Sequence, residues 1–202
     1  MAVRRWLWWV VKPLVFFACL TPLALLLYWV QTGQTSANPL DDITDHTGDW
    51  TIRFIMITLA VTPLRRLTNW NSLNRFRRMF GLFAFFYGIL HFTTYVWFDK
   101  QFDWSAVVED IPKRPFITVG FTALVLMLPL TLTSTKKWIA RLGGKRWNYL
   151  HRLIYVTGIL AVLHYLWLVK LNIERPLAYG ALLATLLGFR MWHAVRGRVV
   201  ES

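Results

Sequence analysis

Three histidines stand where ionisable residues are costly. His91 lies in GLFAFFYGILHFTTYVWF, and residues 150 to 167 read LHRLIYVTGILAVLHYLW, with His151 near the start and His164 well inside. A titratable side chain within an apolar segment long enough for a bilayer points to function, provided a partner can be named for it. Neutral imidazole is the commonest metal ligand in proteins and also a proton relay. Depth, and the polar groups found at the same level, decide between these uses. Of the other two histidines, His193 is assigned no site, and His46 is open to contact with a docking protein. His46, in DDITDHTGDW, is expected to be solvated or a helix-capping neighbour, and His193 to lie at the inner lipid interface.

The elements that position these residues follow from composition. The chain has 202 residues, 56% hydrophobic and 16% aromatic, and its apolar runs approach or reach the roughly 20 residues a spanning helix needs. The pattern predicts an all-α integral membrane protein, a single domain over 1–202 built as a six-transmembrane-helix bundle. The spans are expected at about 13–30, 49–64, 79–98, 116–135, 153–169 and 176–192. The second and sixth are the weakest, since Arg53 interrupts one and the other is uninterrupted only from Pro176 to Phe189.

Charge fixes the orientation. The N-terminus, the 65–78 and 136–152 loops and the tail hold 17 cations and one acid, Glu201, whereas the segments 31–49, 99–114 and 170–175 hold five cations and nine acids. The positive-inside rule puts both termini in the cytoplasm, a parity that six spans satisfy. The net charge of +13 thus reads as topology rather than as a nucleic-acid surface. The twelve Trp residues fall near the expected membrane surfaces, as an aromatic belt does. Arg4 and Arg5 ahead of an apolar run also resemble a signal sequence, with Thr35-Ser36-Ala37 a faint cleavage look-alike, but retention as the first span is expected.

On this layout His91 and His164 match in depth. His91 stands eight residues before Asp99 and His164 six before Lys170, so each is roughly 9 to 12 Å below the outer boundary. Two neutral imidazoles facing each other across a bundle supply both axial ligands of a b-type haem without covalent attachment. Gly88 and Gly158 are candidates for giving the macrocycle room. The plain alternative is that each ring hydrogen-bonds a neighbouring helix.

His151 is 13 residues, about 20 Å, from His164, a suitable height for a second haem. Two features stand against a second bis-histidine pair. A 13-residue step turns roughly 140° around a helix, so a kink near Gly158 is required. The matching position on span three is Arg78 beside Arg77, and arginine ligates iron poorly but pairs well with haem propionates. Arg53 is a candidate propionate or docking group, or simply snorkels. The 136–152 loop could receive an acidic cytosolic donor or a flavin phosphate, although topology alone explains its charge. Cys19 is the only cysteine, which excludes an internal disulfide, a cysteine-ligated iron–sulfur cluster and c-type haem attachment.

These residues carry a resemblance. Asp42 with His46-Thr47-Gly48, Thr62-Pro63-Leu64, Arg77-Arg78 with Gly81-Leu82, Leu90-His91, Arg114-Pro115, Leu132-Thr133-Ser134-Thr135, Leu142-Gly143, Trp147, Leu150-His151-Arg152 and His164-Tyr165-Leu166-Trp167 together resemble the MsrQ (YedZ) family. These are the haem-binding membrane subunits of periplasmic methionine sulfoxide reductase systems, within the ferric reductase-like transmembrane superfamily, and the match covers almost the whole chain.

The resemblance implies that His91, His151 and His164 are haem-linked and that the protein lies in the bacterial inner membrane. It implies electrons arriving from a cytosolic flavin reductase or the quinone pool, an FMN, and delivery to MsrP, a periplasmic molybdopterin-containing reductase that repairs oxidised methionines. Substrate catalysis is then expected on the partner, with this chain as its electron-transfer subunit. Oxidase relatives carry two histidines on span three where this chain has one, and they add a nicotinamide-binding domain of which no glycine-rich fingerprint appears here.

Two other classes stay open from sequence. A self-contained transmembrane ferric or quinone reductase would hand electrons directly to a small molecule. A transporter or proton relay would normally need intramembrane carboxylates, and the expected span interiors contain no Asp or Glu. The acidic outer segments suit a docking partner of complementary positive charge.

Overall fold

A computed structural model describes residues 2–169 and 171–199. Lys170 and Glu201, which entered the charge count, lie outside the described residues, as do the side chains of Arg4, Arg5, Trp6 and Arg198. The described chain is all-α. Its elements are α1 (Ala2–Thr32), α2 (Pro39–Thr68), a 3-10 turn (Asn71–Leu73), α3 (Asn74–Thr94) prolonged by a π-helical turn (Tyr95–Asp99), α4 (Trp104–Lys113), α5 (Pro115–Leu132), α6 (Lys136–Leu142), α7 (Gly144–Leu150), α8 (Leu153–Leu168) and α9 (Glu174–Val199). Four stretches, Trp8–Thr32, Asn71–Asp99, Pro115–Leu132 and Gly144–Leu168, are long and apolar enough to cross a membrane.

The most extensive helix contacts join α2 to α3 and α5 to α8. Both pairs run antiparallel. Gly88 lies against Thr51 and Gly81 against Thr58, so a seven-residue step forward on α2 is a seven-residue step back on α3. Gly81, Ala84 and Gly88 share one face of α3, and small residues of this kind let membrane helices approach closely. α2 carries more charge than its neighbours, yet Ile52, Phe54, Ile55, Met56, Leu59 and Val61 are all buried in the bundle. A helix enclosed by its neighbours does not need an apolar surface all round, which explains why its sequence reads as one of the weaker expected spans.

Prolines open the helical ladders, and side chains from other helices close them. Pro22 breaks α1; there the hydroxyl of Tyr87 accepts from the Leu23 N–H at 3.1 Å and donates to the Cys19 carbonyl at 2.9 Å, taking the place of the direct bond. His46 Nε2 donates to the Pro22 carbonyl at 3.0 Å. His46 is therefore neither solvated nor a cap. It sits within α2 because that helix begins ten residues before the expected span, at Pro39. In α2, Pro63 has no N–H for the Leu59 carbonyl, and Arg190 Nη2 supplies one at 2.7 Å.

The expected 136–152 loop is mostly helical. Thr135 caps α6, accepting from the Trp138 N–H, and Gly143, at φ 75°, joins α6 to α7 in a backbone region that favours glycine. The outer 99–114 segment likewise contains α4, capped by Asp103 through the N–H groups of Ser105 and Ala106. Charges bounded the expected spans, whereas α1, α2, α3 and α9 run on past those boundaries.

Candidate functional site

α3 carries His91 and α8 carries His164, and the two rings meet with centres 6.0 Å apart and planes at 77°. His91 Nδ1 lies 3.0 Å from the Thr44 carbonyl, and His164 Nδ1 lies 2.7 Å from the Phe116 carbonyl. A carbonyl only accepts, so each Nδ1 carries the proton and each Nε2 keeps a lone pair. This is the tautomer a metal-ligating histidine adopts when its second nitrogen is held by a backbone carbonyl.

Each ring also lies over a glycine one helical turn beyond the carbonyl that holds it. A Cβ on Gly48 would come 3.0 Å from His91 Cε1, and one on Gly120 would come 2.6 Å from His164 Nδ1. The two helix pairs thus repeat one construction: α2 gives α3's histidine the Thr44 carbonyl and the gap at Gly48, and α5 gives α8's histidine the Phe116 carbonyl and the gap at Gly120. Sequence reasoning gave the room to Gly88 and Gly158 instead. Those two let helices approach, Gly88 against Leu124 and Gly158 against Leu183 and Leu59. A glycine inside a helix costs about 1 kcal/mol relative to alanine, and that cost, at the depth of the histidines, was the signal available for Gly48 and Gly120.

The pair fits a haem iron. An imidazole nitrogen binds a first-row metal at about 2 Å and sits about 1 Å from its own ring centre, so two axial imidazoles hold their centres about 6 Å apart. Among the described residues no group of three or more His, Cys, Asp or Glu converges. A metal held by this pair would therefore bring its other ligands with it, as a porphyrin iron does.

His151 is built differently. It caps α7 rather than joining α8, because the chain turns at His151 and Arg152; the break expected near Gly158 lies here instead. Its ring stacks on Trp147 at 3.9 Å, and its Nε2 is 3.1 Å from the Thr133 hydroxyl, which itself donates to the Pro129 carbonyl. Arg77 is half-buried and acts electrostatically on His151, whereas Arg78 is exposed. Arg53 is tied at the outer surface by Asp49 at 2.8 Å and the Tyr179 hydroxyl at 3.2 Å. His193 Nδ1 donates to the Phe189 carbonyl of its own helix.

Comparison with known proteins gives the family. Residues 47–162 match the family model described as ferric reductase like transmembrane component. The chain is 52% identical over 190 residues to the protein-methionine-sulfoxide reductase heme-binding subunit MsrQ of Herminiimonas arsenicoxydans, covering 93% of this chain and 87% of that protein. The chain belongs to the MsrQ family. Family members of the same description from Polaromonas naphthalenivorans, 49% identical over 90% of this chain and 84% of theirs, and from Xanthomonas campestris pv. campestris, 49% identical over 93% and 88%, extend the likeness along nearly the whole length. No solved structure matches the chain. Membership of this family and the long apolar helices make it a multi-pass inner-membrane protein.

Proposed function

We propose that this chain is a b-type haem membrane subunit that carries electrons across the inner membrane to a periplasmic methionine sulfoxide reductase. The observation that carries the reading is the meeting of His91 and His164 at 6.0 Å with both Nδ1 atoms committed to carbonyls. A bound haem supplies a reversible ferric–ferrous couple. The chain's own residues fix the two rings, keep their Nε2 atoms free and surround them with apolar helices that exclude water.

Around this centre the finer reading is a single domain over 1–202 with six spans, α2 and α9 completing the four apolar ones, and both termini cytoplasmic. Burial of the α2 core supports counting α2 as a span. A second, inner haem would use His151, with Arg77 and Arg78 toward its propionates; the inward turn of Arg77 favours it over Arg78 for that role. The donor would be a cytosolic flavin reductase or the quinone pool, and the acceptor the molybdopterin enzyme MsrP. An FMN rests on the family resemblance alone.

Absorption spectra of the detergent-purified protein, oxidised and reduced, test the reading. His91→Ala and His164→Ala should each remove the same low-spin haem signal, and retention of that signal in either variant rejects the axial pair. An unchanged haem content in His151→Ala rejects the inner site.

A further inference from the structure

Ion pairs and orphaned polar atoms divide the described protein into two ends. Every ion pair lies toward the acidic outer segments and uses Asp49, Glu109 or Asp110. At the opposite end lie three half-buried arginines from three helices: Arg65 on α2, Arg77 on α3 and Arg190 on α9. Arg77 is within electrostatic reach of both others and of Tyr155. Arg190 is held by the Tyr155 hydroxyl at 2.8 Å and the Leu59 carbonyl, with its guanidinium 5.2 Å from the Tyr155 ring centre.

No acid accompanies these arginines among the described residues. The buried Nε atoms of Arg65 and Arg190 have no hydrogen-bond partner there. Neighbouring arginines on the same helices behave otherwise: Arg66 and Arg78 are exposed, and Arg75 stacks over Trp8 at 4.5 Å. Snorkelling accounts for those. It does not account for half-buried like charges from three helices at one end of the bundle, which repel and are costly to desolvate unless an anion joins them.

We propose that Arg65, Arg77 and Arg190 form a binding site for an anionic acid group, a phosphate or carboxylates, at the inner end of the bundle. Guanidinium forks match both chemistries by bidentate hydrogen bonding. The site rests on the electron-transfer reading only for its meaning, since it would hold the anionic edge of a cofactor where electrons enter. Its two sources are the headgroup of an anionic phospholipid and the acid groups of the cofactor itself.

The test uses full-length protein purified in phosphate-free detergent buffer, as wild type, Arg65→Gln, Arg77→Gln, the charge-retaining Arg65→Lys and Arg77→Lys, and the exposed control Arg66→Gln. One arm measures thermal stabilisation by dioleoylphosphatidylglycerol against dioleoylphosphatidylcholine. The other measures haem per chain and the haem midpoint potential. If the occupant is a headgroup, the glutamine variants lose about tenfold or more in apparent affinity for phosphatidylglycerol with haem unchanged. If it is the cofactor, they lose haem or lower its potential with lipid response unchanged. In both cases the lysine variants keep most of the effect and Arg66→Gln matches wild type.

Glutamine variants that match Arg66→Gln in both arms overturn the site. The low-spin signal assigned to His91 and His164 should persist in every variant, so the anion site can fail while the outer pair stands, and the reverse.

Discussion

The outer and inner histidine sites differ in construction. Gly120 of α5 lies against His164 of α8, and 13 residues later Thr133, just past the end of α5, meets His151, which caps α7. Glycine leaves space and a nearby carbonyl that fixes the tautomer. Threonine fills that space and engages Nε2, the atom left free in the outer pair. In the outer site the space left by each glycine holds the histidine ring itself, whereas His151 lies in a hydrogen-bonded network near the half-buried Arg77. A histidine's depth alone therefore does not define a haem ligand; what the facing helix offers opposite it does.

The sharpest way to break this contrast is to fill the outer gaps. Gly120→Ala puts a methyl 2.6 Å from His164 Nδ1, and Gly48→Ala puts one 3.0 Å from His91 Cε1. Both substitutions should otherwise favour their helices by about 1 kcal/mol. Perturbing groups that orient metal ligands typically costs about 10- to 100-fold in metal affinity, so Gly120→Ala is expected near the upper figure and Gly48→Ala near the lower. Haem titration into apoprotein checks the order; equal, undiminished affinity in both would mean the glycines do not set the site.

A smaller effect is expected from the inner partner. Thr133→Val removes the hydroxyl that joins His151 Nε2 to the Pro129 carbonyl, at a cost of about 1 kcal/mol. The melting temperature should fall by a few degrees at most, about what that loss implies, while the outer haem spectrum stays put. A spectral change as large as that of Gly48→Ala would mean the two halves are one coupled site.

Much of the outer site was legible in the sequence, since charges flanking two apolar segments set His91 and His164 at one depth. What faced them was not. Thr44 and Phe116 lie 47 and 48 residues from the histidines they hold, and only the antiparallel registers bring them there. His46 was misread for a related reason: its neighbours in sequence are acidic, but its partner is a carbonyl exposed by Pro22 on another helix. Spans were bounded at charges, which hid the helical character of 39–48, 104–113 and 136–150. The arginine cluster was half legible, with Arg77 and Arg78 adjacent in sequence but only Arg77 turned inward, toward two arginines from distant helices.

The smallest effect concerns how the outer end of α3 is fastened. Asp110 of α4 takes hydrogen bonds from Tyr95 at 2.8 Å, Lys100 at 2.9 Å and Arg114 at 2.9 Å. Burial works against its ionisation, yet the hydrogen bonds from Lys100 and Tyr95 and the charge of Arg114 outweigh it and hold the carboxyl below the usual carboxylate range. A depressed folded value means the stabilisation is complete above the unfolded carboxylate value and is lost as pH falls through the folded one. Acidification should therefore loosen α4, four residues beyond the π-helical turn that follows His91's helix, before it disturbs the inner network, where no carboxylate is engaged among the described residues. Hydrogen exchange across 95–114 should rise below about pH 4, and Asp110→Asn should show the faster exchange already at neutral pH. Exchange in Asp110→Asn equal to wild type at neutral pH would show that α4 is held by its apolar face, with Val107 buried, rather than by this carboxylate.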